Sequence, residues 1–207
     1  MDMSLMQKVL GDDWYKLPTV IQQHYQLNHQ HSQNKVTGKL TIDFPWFVKP
    51  ILVLVRLMGG LLHSRGQHLN TCVEKWINQE TPLTLFWRRR VQLPNRKEIV
   101  FASKMHYEGK NQIIESIGGG FGLCLHVAVE EQRLVYRSCG HLWQLGFLTL
   151  PIPDVLFLGH ATITETALSD HTFKLDFQIH HPLFGNTYNY TGEFLLDNPQ
   201  ITAQLID

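Results

Sequence analysis

The 207 residues include 43% hydrophobic side chains, enough for one sizeable core and too few for two large domains. Lys plus Arg and Asp plus Glu balance at 18 each, so no overall field draws in nucleic acid, and that class of partner is set aside. The three cysteines lack metal-ligand spacing and the N-terminus lacks an apolar signal core, which points to a reduced, cytoplasmic setting with Cys124 and Cys139 as core thiols.

Along the chain, Ser4 suits the cap of a short helix carrying Leu5, Met6, Val9 and Leu10 on one side, with Gly11 ending it. Pro18 opens a second helix to about Leu27, followed by a polar loop from His29 to Asn34. Val36 to Phe44 alternates apolar and polar residues as a half-buried strand does, and Pro45 stops it. A third helix, about Pro50 to Met58, is apolar around most of its circumference and calls for cover on several sides. With Lys49, Pro50, Arg56 and Gly59-Gly60 in or beside it, the run from Trp46 to Leu62 falls short of the about 20 nearly uncharged residues of a membrane span. A shallow contact with a membrane surface is its lesser alternative.

From residue 67 to residue 196 the pattern predicts nine strands joined by short polar turns such as Glu108-Gly109-Lys110 and Glu130-Glu131-Gln132. Such punctuation means an antiparallel meander. With the strand at 36–44 it should curl into a curved sheet or barrel, lipocalin-like or helix-grip-like, packed on the N-terminal helices: an α+β, mainly β, single domain over 1–207. The exception is His141 to Leu158, long, apolar and broken by Pro151 and Pro153, expected as a lid, plug or edge cover at one mouth.

Charges inside these strands carry the functional question. Trp87, Arg89 and Val91 alternate with Phe86, Arg88 and Arg90, so one arginine set faces inward, though alternation alone does not say which. Phe101 shares a face with Ser103; Glu115 lies among isoleucines; Glu165 shares a face with Ala161 and Ile163. An arginine, a hydroxyl and a carboxylate on neighbouring strands either close on one another and fix register or bind a ligand. The 12 histidines lack metal-site spacing, and no metal or other cofactor is implied. Gly118-Gly119-Gly120 precedes a strand rather than a helix, so it reads as a bulge or a close approach of another backbone, not as a phosphate loop.

Taken in order, Leu10-Gly11-Asp12-Asp13-Trp14, Leu17-Pro18, Trp87 with the arginine run, Phe101-Ala102-Ser103, Ile114-Glu115 with Gly118, Leu148 to Pro153, Glu165, His181-Pro182-Leu183-Phe184-Gly185 and Tyr190-Thr191-Gly192-Glu193-Phe194 resemble the bacterial domain of unknown function 4166 family. The resemblance implies no activity. It places Trp87, one of Arg88 to Arg90, Ser103, Glu115, Glu165, Pro182, Gly185, Tyr190 and Gly192 on the family pattern. Ile117-Gly118-Gly119 departs from it where Gly-Pro is expected. The leading expectation is a non-enzymatic module holding a small amphipathic or acyl-type ligand, with Arg88, Arg89, Arg90, Ser103, Glu115, Glu165 and Tyr190 as binding candidates and no protein partner indicated. The alternatives are a hydrolase or isomerase using Glu115 or Glu165 beside an arginine, and a protein-interaction module with an exposed apolar helix or loop.

Overall fold

In a computed structural model, which describes residues 3–28, 32–57, 63–95 and 97–197, the alternating segments form strands close to their expected bounds. They are β1 (Gln33–Asp43), β2 (Gly66–Asn78), β3 (Thr81–Gln92), β4 (Glu98–Gly109), β5 (Gln112–Ser116), β6 (Phe121–Glu130), β7 (Arg133–Leu145), β8 (Leu148–Ile152), β9 (His160–Ala167), β10 (Thr172–His181) and β11 (Gly185–Leu196). The helices are α1 (Leu5–Leu10), α2 (Thr19–Tyr25) and α3 (Lys49–Leu57). Residues 29–31 of the expected polar loop, Gly59-Gly60 and Arg96 lie outside the described residues.

All strand pairings are antiparallel. β1 lies between β2 and β11, the meander runs on both sides of it, and β6 pairs with β7 while β7 pairs with β9. Ten strands therefore close into a barrel, a ring in which each strand bonds two neighbours and none is left as an edge. The ladder closes without the third helix.

β7 explains the shape of one mouth. Its first half, Leu134 to Arg137, pairs with β9, whereas its second half, His141 to Leu145, pairs with β8 outside the ring. The apolar segment after residue 141 is thus partly strand, a difference from the sequence reading. Pro151 and Pro153 suggested a loop, but a strand with one free side tolerates proline. The remaining Pro153–Gly159 turn caps the place where β7 leaves β9, and its Phe157 and Leu158 face the interior. Gly120 shows the expected close approach of another backbone: it has φ +78°, and a Cβ there would meet Gln144 O at 2.2 Å.

The helices sit at opposite ends. Lys8 of α1 lies over the Tyr107 ring at one end of β4, while Arg56 of α3 donates to Val100 O near the other, about 24 Å away along the strand. α1 begins with a capping box in which Ser4 Oγ accepts from Gln7 N and Gln7 Oε1 accepts from Ser4 N. Its Leu5, Met6, Val9 and Leu10, with Val20, Ile21 and Tyr25 of α2, plug the first end. α3 departs from expectation. Only Leu52 and Val55 are buried, and the rest of its apolar circumference faces outward.

Cys124 and Cys139 are joined as a disulfide on the outside of the β6–β7 pair, which corrects the expectation of core thiols. A bulge places Cys139 as the extra residue between the Leu125↔Ser138 and Cys124↔Gly140 pairs, at the point where β7 turns from β9 toward β8. Closing a loop across 15 residues of sequence separation gives about 3 kcal/mol of stability. Cys139→Ser should therefore lower the free energy of urea unfolding by that amount, while Cys72→Ser, which breaks no disulfide, should leave it within about 0.5 kcal/mol.

Candidate functional site

The barrel wall settles the arginine ambiguity. In β3 the side chains of Leu85, Trp87, Arg89 and Val91 point inward, so Arg89 enters the lumen while Arg88 and Arg90 stay outside beside Glu74. Arg90 donates to Glu74 Oε2 at 2.8 Å, a partly exposed pair of small energetic weight. Arg89 has different company: Nη1 donates to Ser103 Oγ at 2.9 Å and Nη2 to Glu115 Oε1 at 3.1 Å, and Ser103 Oγ donates to the same oxygen at 2.6 Å. The guanidinium also lies over the Trp87 and Phe101 rings, 4.6 and 4.9 Å from their centroids. Arg89, Ser103 and Glu115 form one closed group, with side chains of Arg89 and Glu115 only 15% and 12% exposed.

Glu165 heads a second group that sequence reasoning did not assemble. Tyr25 at the end of α2 donates its hydroxyl to Glu165 Oε1 at 2.7 Å, and Tyr136 of β7 donates to the Tyr25 hydroxyl at 2.8 Å. Lys75 of β2 is fully buried; it donates to His24 O and lies over the rings of both Tyr25 and Trp87, 4.5 and 4.9 Å from their centroids. The signal for Lys75 was present, since Val73, Lys75 and Ile77 share the inward face of their strand. Tyr25 falls within the predicted second helix, where no local pattern marks it as a partner for Glu165.

Burial dominates the electrostatics. It pushes the Glu165 carboxyl up to about 7, against the hydrogen bond from Tyr25 and the charges of Lys75 and Arg89. It pushes Lys75 well below the usual lysine range; Glu165 opposes and Arg89 adds to the effect. His24 is likewise held well below its ordinary value by burial, then by Lys75 and Arg89. The Tyr190 hydroxyl rises to about 12 for the same first reason.

Both groups face one cavity of about 140 Å³, far more than the about 10–15 Å³ one water needs. Of the seven candidates from the sequence, Arg89, Glu115, Glu165 and Tyr190 line it, and Ser103 stands behind the Arg89–Glu115 pair. The rest of the wall is almost wholly apolar and aromatic. Among the lining side chains, Glu165 Oε2, Trp87 Nε1 and His24 Nδ1 are buried polar atoms without a hydrogen-bond partner, while a fourth, His141 Nδ1, has the Asp154 carboxylate 3.0 Å away. Buried polar atoms are rarely left unpaired, so Glu165 Oε2, Trp87 Nε1 and His24 Nδ1 are open hydrogen-bonding positions on the wall.

At the mouth near α3 the cavity is bounded by Val55, Phe157 and Leu158. The turn carrying Phe157 is pinned by Asp154, which accepts from Ser138 Oγ and lies 3.0 Å from His141 Nδ1 and 3.1 Å from His160 Nδ1. Burial raises the Asp154 carboxyl, but the hydrogen bonds of His141, Ser138 and His160 outweigh it and hold it below its ordinary value. Thr187 Oγ1 donates to Leu158 O at 2.5 Å, and His181 Nε2 lies 2.9 Å from Val155 O, so the turn is tied to the β10–β11 hairpin as well.

The family model for "Domain of unknown function (DUF4166)" matches residues 17–194. The chain belongs to this family. The match starts within the N-terminal plug and ends in β11, so the DUF4166 region takes in every strand of the closed ring and both polar groups of its lumen. No curated protein and no solved structure matches the chain. Among the described residues no helix is long and apolar enough to cross a membrane.

Proposed function

We propose that this DUF4166 barrel is a non-enzymatic module that holds a small amphipathic or acyl-type ligand in its cavity. The observation that carries the reading is the apolar lumen with the unpaired Glu165 Oε2, Trp87 Nε1 and His24 Nδ1 on its wall. With the Glu165 pKa near 7, a protonated carboxyl and an indole N–H favour a ligand whose polar end is a neutral oxygen acceptor, such as an ester, ketone or protonated acid. Arg89 is already taken by Glu115 and Ser103, which argues for a neutral rather than an anionic head. Native mass spectrometry of protein purified from cells, followed by solvent extraction, should show a bound molecule of this class. A bare protein that also fails to exchange a fluorescent apolar dye would sink the reading.

One observation favours a second reading, in which Glu165 serves as a general acid or base: a carboxyl titrating near neutrality on a cavity wall is suited to proton transfer. Deuterium uptake by an enolisable ketone in heavy water, lost in Glu165→Gln, would support it over simple binding. The compartment turns on Cys124 and Cys139: free thiols in protein taken from cells support the cytoplasmic setting, and a closed disulfide an oxidising one.

A further inference from the structure

Large apolar side chains stand exposed beside the cavity mouth. Trp46, Phe47, Leu54 and Leu57 project from the turn before α3 and from the helix itself, and Leu183 and Phe184 from the β10–β11 hairpin. Trp46 is 80% exposed, Leu57 81% and Leu183 79%. Trp46, Phe47 and Phe184 form one aromatic run, since the Phe47 ring lies 6.1 Å from Trp46 and 6.0 Å from Phe184. Leu156, on the turn that His181 holds to the same hairpin, adds to this exposed apolar patch.

The charges around the patch are mainly positive, Lys49, Arg56, Arg65 and Lys97 standing against Asp43 and Glu98 at the same strand ends. His63 is held below its ordinary value by burial and then by Arg56, Lys49 and Lys97, so these three cations share its neighbourhood. Among the described residues no ion pair joins any of them to a carboxylate, and Asp43 at the same end is taken by Arg65 at 3.4 Å. The chain as a whole is neutral, so this is a local concentration.

We propose that the α3 end of the barrel docks on an anionic lipid bilayer, with the Trp46–Leu57 face and the Leu183-Phe184 tip entering the headgroup boundary and Lys49, Arg56 and Lys97 meeting its charge. An exposed tryptophan beside leucines and cations is the composition that settles at such a boundary. A second copy of the chain fits poorly, because a two-fold contact through the patch would set its cations against their own images. Position supplies the purpose. α3 turns Leu52 and Val55 toward the interior, Val55 onto the cavity itself, and Leu54 and Leu57 outward, so one thin helix separates the cavity from the docked surface. The proposal deepens the binding reading and rests on it for this purpose: an apolar ligand would pass between bilayer and lumen without crossing water.

The test is cosedimentation of the intact chain with vesicles of phosphatidylcholine containing about a third phosphatidylserine, against phosphatidylcholine alone, at low salt. Binding is expected to the anionic vesicles. Lys49→Gln and Lys97→Gln should each weaken it about fivefold, and Leu57→Asp or Trp46→Ser at least about tenfold, with melting temperatures unchanged because all four side chains are exposed. No association with anionic vesicles, association indifferent to these substitutions, or a stable dimer that buries the patch and excludes vesicles would each overturn the proposal. Vesicle binding is read without ligand and ligand retention without vesicles, so the two readings fail separately.

Discussion

Arg89→Leu should destabilise the barrel by about 3–5 kcal/mol, the scale for leaving one member of a buried ion pair alone. The substitution removes the donor to Ser103 and Glu115 and strands the Glu115 carboxylate among Trp87, Phe101 and Met105 with only the serine hydroxyl for company. Arg89→Leu with Glu115→Leu should recover most of the loss, since the pair then goes as a unit and apolar side chains take its place. Arg90→Ala, outside the wall, should cost less than about 1 kcal/mol. Urea unfolding of the four proteins decides the matter. If Arg89→Leu proved no more costly than Arg90→Ala, the inward position of Arg89 and the closed group built on it would be wrong.

The second large effect is in pH. Glu165 has a folded pKa of about 7 against an ordinary value of 4.5, so the native protein holds a proton that the unfolded chain has released. The stability this gives is fully present below pH 4.5 and is lost as pH rises to about 7, for a total of about 3 kcal/mol at 1.36 kcal/mol per unit. His24 and Lys75 have the opposite sign. Their folded values lie below the ordinary ones, so His24 contributes stability present above pH 6.5 and lost as pH falls, and Lys75 does the same relative to pH 10.5. Comparing wild type with Glu165→Gln isolates the carboxyl: the wild-type curve should fall relative to the variant between pH 4.5 and 7 and run parallel above it. Parallel curves throughout that window would show that Glu165 is not buried as described.

The sequence revealed the ring better than its contents. Strands were legible because a barrel wall imposes strict alternation, and the same alternation put Arg89 on one face and Arg88 and Arg90 on the other. It could not say which face was inside. Glu165 was correctly aligned with Ala161 and Ile163, but its partners Tyr25, Tyr136 and Lys75 come from three other elements, and no local pattern joins residues brought together by ring closure. The disulfide was nearer to hand. Stepping outward from the Glu130↔Arg133 pair, residue against residue, arrives at Cys124 opposite Cys139, and the bulge shifts this by a single place. α3 misled for a physical reason: an apolar circumference means cover of some kind, but not cover by the same chain.

β8 has a cost that the rest of the sheet escapes. A closed ring has no free strand to offer a neighbouring molecule, whereas β8, paired on one side with β7, carries Leu148 and Leu150 exposed on a five-residue strand. Such a strand is where molecules stack edge to edge into aggregates. Pro151 lies within it and has no N–H to give an incoming backbone. The same proline that broke the apolar run in the sequence thus leaves this edge one donor short for an incoming strand, and replacing it should favour edge-to-edge association.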